Sequence, residues 1–276
     1  MSVSDKLIIN AAITGTVLYK SDSPFLPTTV SEIVDCAVQV REAGASIIHL
    51  HARNPDESPS YDPALYTELV GRVREATDLV VNVSLSGRFV SDVDIRSAPL
   101  ASRPDIASLT VGSMNFISGP SVNAPDTIGE LATRIYAAGA IPELEVFDSG
   151  FANFATYLAR RDVLRPPHYA NIILGSLGSA PLDPVSLGLI VGLLPSGTTW
   201  SVGGLGRFQL DANVMGIAAG GHVRVGLEDN IHFDRARVDL ADNPRLVARL
   251  ARIDREMGRE PATPAEARSI IGLPTT

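Results

Sequence analysis

Cysteine is almost absent from this 276-residue chain: Cys36 stands alone, so no disulfide can form within it. Its place in "EIVDCAVQV" suits the buried face of a helix, and a small core residue is a simpler reading than a nucleophile. Lysine is nearly as scarce. Lys6 precedes the first strand-like run and Lys20 lies in the loop beyond it, so no strand offers an amine for Schiff-base chemistry. There is no long basic run, and 31 acidic against 23 basic side chains leave a formal charge of −8. That balance argues against nucleic acid or an anionic membrane as the main partner. No apolar run approaches a membrane span, and the opening "MSVSDKLIIN" lacks the apolar segment of a signal peptide. A soluble, cytoplasmic protein in a reducing setting is expected.

What is present is a large apolar inventory, 45% of residues, enough for an extensive core. Eight short β-branched runs cover 7–15, 46–53, 79–87, 106–112, 142–148, 169–175, 198–204 and 222–228. Longer amphipathic stretches alternate with them, at 31–44, 62–77, 91–101, 126–139, 150–160, 183–193, 207–219 and 244–257. "TTVSEI", "SYDPAL" and "NAPDTI" mark helix starts, where a capping oxygen or a proline precedes the apolar period. Eight strand-then-helix units predict a single-domain (β/α)8 TIM barrel over residues 1–276. The tail "ATPAEARSIIG" adds one more helix, with Thr263 as cap, Pro264 in the first turn and Gly272 as the stop. A doubly wound sheet is the competing arrangement, but no Gly-rich dinucleotide fingerprint follows the first strand, and "GGLGRF" at 203–208 has the wrong place and spacing.

Polar residues at the C-terminal ends of barrel strands carry chemical information. In "IIHLHARNP", His49 and His51 are separated by Leu50, so both imidazoles share the inward face. Two histidines at that spacing at a strand end suit a divalent metal, and a third ligand is then needed. Glu228 in "GGHVRVGLEDN" is the best candidate, because the eighth strand is separated from the second only by the first. His222 is the other, but it stands at the strand's start, where a packing role is simpler. Two histidines and one carboxylate leave an open, catalytic coordination position. Asp229 beside Glu228 has helix capping as its simplest role. Arg224 shares the inward face of Glu228 and must either be ringed by carboxylates or await an anionic substrate. Ser84 and Ser86, Ser108 and Thr110, and Glu143 and Glu145 add same-face polar pairs from three further strands. A Lewis acid, a cation and several carboxylates in one pocket suit enolate chemistry on a small oxo acid.

"AAITG", "IIHLHAR", "PELEVFDSG", "GGHVRVGLEDN" and "LVARLARI" followed by "ATPAEAR" resemble, in order along the chain, the β-keto acid cleavage enzymes. The resemblance implies a homotetrameric barrel with a divalent metal, usually zinc, held by His49, His51 and Glu228. It implies a retro-Claisen exchange in which a β-keto acid and acetyl-CoA, as co-substrate, give acetoacetate and a new acyl-CoA. Asp229 with Arg224 would make the substrate's carbanion, and Ser84, Ser108 and Glu145 would match positions that orient substrate or relay protons. The loop "SVGGLGRFQ", with Gly204, Gly206 and Arg207, is expected to hold part of CoA where it enters a helix N-terminus. Arg207 and Arg88 are candidate phosphate partners, with exposed surface arginine as the plain alternative. The chain departs from the pattern at Val17, where a relative taking an amino-bearing substrate has a Glu. An ammonium group there would lose its counter-charge, so a far end that is apolar or neutral is expected. A zinc hydrolase, another metal-dependent lyase acting on a small oxo acid, and a non-catalytic scaffold are the competing readings.

Overall fold

The computed structural model describes residues 2–117 and 119–274. Eight parallel strands close on themselves: β1 (Ile9–Ala12), β2 (Ile47–Leu50), β3 (Val80–Val83), β4 (Ile106–Thr110), β5 (Ile141–Val146), β6 (Tyr169–Leu174), β7 (Thr199–Gly204) and β8 (His222–Val225). Their order around the barrel is their order in the chain, with β1 hydrogen-bonded to both β2 and β8. The register sets Asn10 opposite Arg224 and Ala12 opposite His49, so β1 is the one strand between the two polar clusters. Each strand is shorter than its expected run and falls within it, except that β5 starts one residue earlier, at Ile141; pairing stops where the chain bends into the loops.

The helices α1 (Val30–Ala43), α2 (Pro63–Ala76), α3 (Val93–Ser97), α4 (Pro125–Ala137), α5 (Ser149–Arg160), α6 (Pro184–Leu193), α7 (Gln209–Ala218) and α8 (Asn243–Glu256) follow the strands, and α9 (Pro264–Ile271) ends the chain. Thr29 and Glu32 form a reciprocal capping box on α1, and Asp62 caps α2 ahead of Pro63. In "NAPDTI" only the proline acts: α4 starts at Pro125 behind Ala124, whose methyl cannot cap it, while Asn123 one residue earlier accepts from Arg96. The single helix expected over 91–101 is instead α3 running into a 3-10 turn at Ala98–Ser102. Pro99 has no N–H to continue the α ladder.

The barrel interior is layered. At the N-terminal end of the strands Ile8, Ile47, Val80, Ile106 and Tyr169 pack with Ala267, Ile271 and Leu273 of the chain's end, so α9 closes the floor. Above lies a polar layer in which Asn10 and Asn171 donate to Oε1 of Glu143 at 2.7 and 3.2 Å, and Ser201 donates to Asn171 at 2.7 Å. His222 belongs to the floor, as its place at the strand start implied: its Nδ1 accepts the backbone N–H of Ile8 at 3.0 Å. Cys36 is buried on α1. Among the described residues, no helix is long and apolar enough to cross a membrane.

Candidate active site

His49 lies in the last turn of the pleat of β2, and His51 follows just past the strand, both nearly fully buried. Their Nε2 atoms face each other at 3.1 Å. Glu228 is not on β8 as the sequence suggested; the strand ends at Val225, and Glu228 and Asp229 lie on the turn that follows. That turn starts at Gly226, where a Cβ would meet the Ala12 carbonyl oxygen at 2.0 Å. The bend brings Oε1 of Glu228 to 3.3 Å from His51 Nε2 and Oε2 to 3.8 Å from His49 Nε2. Gly15, at φ +66°, leaves room for this: a Cβ there would lie 2.6 Å from Glu228 Cγ.

One ligand atom from each of His49, His51 and Glu228 falls within 4.8 Å of the others, the only such His/Cys/Asp/Glu trio among the described residues. Ligand atoms about 2.0–2.1 Å from a tetrahedral zinc lie about 3.3 Å apart, so this spacing and donor set fit a divalent ion. Oε2 of Glu228, buried within the trio and without a hydrogen-bond partner, agrees with a ligand role. Nδ1 of His49 sits 3.7 Å from Oε2 of Glu143, a carboxylate placed behind the ring. His49 is held well below its ordinary pKa, chiefly by burial, which keeps the ring neutral as ligation requires. Burial would raise Glu228, but Arg224, with His51 and His49, overrides it and holds the carboxylate well below the usual range.

Arg224 on β8 is 2% exposed and heavily paired. Its Nε and Nη2 donate to the two oxygens of Asp229 at 2.8 and 3.2 Å, and Nη2 lies 2.8 Å from Glu228. Burial pushes Asp229 above its ordinary value against the pull of Arg224. Arg224 Nη1 has no partner and stands 4.0 Å from Glu145, whose other oxygen accepts from Thr110 at 2.5 Å. Burial also pushes Glu143 up, to about 7.

These groups meet around one cavity of about 80 Å3. His51, Ser84, Glu145, Arg224, Glu228 and Asp229 line it, as the sequence placed them. Ser108 does not; its hydroxyl accepts the Leu85 N–H at 3.1 Å, one pleat deeper than Thr110, which does line the cavity. Leu205 reaches the wall, whereas Gly204, Gly206 and Arg207 do not. Gly204 allows close packing on α7, where a Cβ would meet the Phe208 carbonyl oxygen at 2.6 Å, and Arg207 lies against the Phe208 ring. Val17 lines the mouth as expected, and so does Arg88. His168 and His232 are outside the trio. Glu143 behind His49 and the aromatic walls Phe116 and Phe147 escaped the sequence reading as site residues; only the parity of Glu143 with Glu145 hinted at the first.

The sequence model of the beta-keto acid cleavage enzyme family matches residues 6–273. The chain is 36% identical to the 3-keto-5-aminohexanoate cleavage enzyme of Acetoanaerobium sticklandii, over 98% of this chain and 99% of that one. It is also 36% identical to the 3-oxoadipate:acetyl-CoA acetyltransferase of Cupriavidus necator, over 97% and 95%. Among solved structures, apo ObcA shares the fold with a TM-score of 0.79 at 22% identity, over 91% of this chain and 66% of that one.

Proposed function

The chain belongs to the beta-keto acid cleavage enzyme family, and from that premise we propose that it runs a metal-dependent exchange of a β-keto acid with acetyl-CoA, giving acetoacetate and a new acyl-CoA. The observation that carries this is that His51 and Glu228 of the His49–His51–Glu228 trio line one cavity together with the Arg224–Asp229 pair. A divalent ion, zinc or another transition metal, when bound by the trio supplies Lewis acidity toward the ketone oxygen. The free Nη1 edge of Arg224 suits the substrate's carboxylate. Asp229 takes a proton from the carbon between ketone and carboxylate, and that carbon attacks the thioester carbonyl of acetyl-CoA, expelling the CoA thiolate. The thiolate adds to the original ketone carbon; the bond to the central carbon breaks, acyl-CoA leaves, and Asp229 returns the proton to acetoacetate. Ser84 and Glu145, on the cavity wall, orient the acid and relay protons; Ser108 supports them from one layer below. Gly204, Gly206 and Arg207 lie outside the cavity, where only the distal part of CoA would reach them.

Relatives at equal identity carry different substrates in their names, so kinship does not choose the acid. Val17 lines the cavity and offers no counter-charge to an ammonium group, which disfavours a cationic far end. A zinc hydrolase would work without a thioester. We further propose a cytoplasmic homotetramer, whose contacts would draw on exposed apolar side chains such as Leu177, Val185 and Leu189. The test is a panel of β-keto acids incubated with acetyl-CoA, following acetoacetate and new acyl-CoA by mass. Acyl-CoA formed in step with acetoacetate supports the exchange; an ammonium-bearing acid turned over as fast as alkyl acids would overturn the reading of Val17.

A further inference from the structure

We infer that Arg88 selects β-keto acids bearing a second carboxylate at the end remote from the reacting ketone. This rests on the exchange reaction proposed above: Val17 disfavours a cationic far end, and Arg88 favours an acidic one over the neutral or apolar end expected from Val17 alone.

Past β3 the chain bends over the cavity through two serine turns: Ser86 N–H donates to Ser84 Oγ at 3.2 Å, and Arg88 N–H to Ser86 Oγ at 3.3 Å. The Arg88 guanidinium carbon lies over the Phe116 ring, 3.7 Å from its centroid, a cation–π contact that holds the group at the cavity wall. Its Nε is buried without a partner. The other charged side chains on the cavity wall, His51, Glu145, Arg224, Glu228 and Asp229, all have an opposite partner within 4.0 Å. Arg88 alone has none among the described residues. A half-buried cation kept unpaired is costly unless a ligand completes it. Burial accordingly pushes Arg88 below its ordinary value, with Glu228 and Glu145 acting the other way.

The two guanidiniums stand apart. Arg224 is on β8 and Arg88 follows β3, three strands on around an eight-strand barrel, on nearly opposite walls. A linear acid with one carboxylate on Arg224 therefore points its other end toward Arg88. The cavity of about 80 Å3 between them suits a small acid, not the nucleotide of CoA. The anion that Arg88 meets inside it is the acid's own.

The experiment compares a linear β-keto diacid with the uncharged β-keto monoacid of equal length, both with acetyl-CoA, in wild type, Arg88→Met and Arg88→Lys. A charge-assisted hydrogen bond of this kind corresponds to a preference of about 10–100-fold in kcat/KM for the diacid. The expected result is that preference in wild type, its loss in Arg88→Met and partial recovery in Arg88→Lys. Thermal stabilisation of the wild-type protein by the diacid over the monoacid is a second readout that needs no variant. A wild type that prefers the monoacid, or a ratio unchanged by Arg88→Met, overturns the inference. So does a rise in the KM for acetyl-CoA with both acids alike, which would give Arg88 to a CoA phosphate. Turnover of monoacids without diacid preference sinks only this inference, whereas no acyl-CoA from any acid sinks the exchange reaction and the inference with it.

Discussion

At the scale of single residues, parity along a strand was legible and depth was not. His49 and His51, two apart, were assigned to one face, and their Nε2 atoms do converge. Ser108 and Thr110 are also two apart on one face, yet only Thr110 reaches the cavity, because one pleat repeat moves a side chain by about 6–7 Å along the strand. Parity also ends where the chain turns, at Gly226 ahead of Glu228 and through the serine turns ahead of Arg88, so neither position could be read from spacing. Two predictions belong here. Glu143 backs the His49 ring, so Glu143→Gln is expected to weaken metal affinity by about 10-fold or more in competition with a chelating dye; equal affinity would show that the carboxylate does not position the ring. His222 must stay neutral to accept the Ile8 N–H, and burial with the nearby Arg259 lowers it to about 4. Its folded pKa lies below the unfolded value, so its contribution is complete above about pH 6.5 and is lost as pH falls toward 4. The slope is at most about 1.4 kcal/mol per pH unit. His222→Asn, which keeps an acceptor, should flatten that part of the stability–pH curve measured by denaturant titration; an unchanged slope would contradict it.

At the scale of elements, the alternation of β-branched runs with amphipathic stretches fixed eight strands and the helices between them. Propensity and capping agree there with the tertiary fold. Where the structure differs, a proline breaks the helix at Ala98–Ser102, or an alanine stands at the cap position ahead of α4. What no local signal conveyed was where the last helix goes. Ile271 and Ala267 of α9 pack on Ile8, Ile47, Val80 and Ile106 and close the floor beneath the polar layer. Ile271→Ala should therefore cost about 2–5 kcal/mol in a denaturant titration, as a core deletion does, and leave the metal affinity of the trio unchanged. A cost within about 0.5 kcal/mol, ordinary for a surface site, would mean that the floor does not depend on this helix.

At the scale of the whole molecule, the layering gives the barrel its division of labour. An apolar floor and a polar middle layer hold the strand ends, and those ends with the loops beyond them set a ligand trio, a buried ion pair and a guanidinium over an aromatic ring around one small cavity. The sequence conveyed the family and the trio because strong motifs sit at strand ends. It could not convey the acid's far end, which is met by loop residues. The most direct test of the account is acetoacetate formation from a β-keto acid and acetyl-CoA by the purified protein before and after removal of divalent metal with a chelator. The account predicts about one bound ion per chain, acetoacetate formed together with an equal amount of new acyl-CoA, loss of both on stripping, and recovery on returning zinc or another divalent ion. Full turnover by the stripped protein, or acid cleavage without acetyl-CoA, would contradict it.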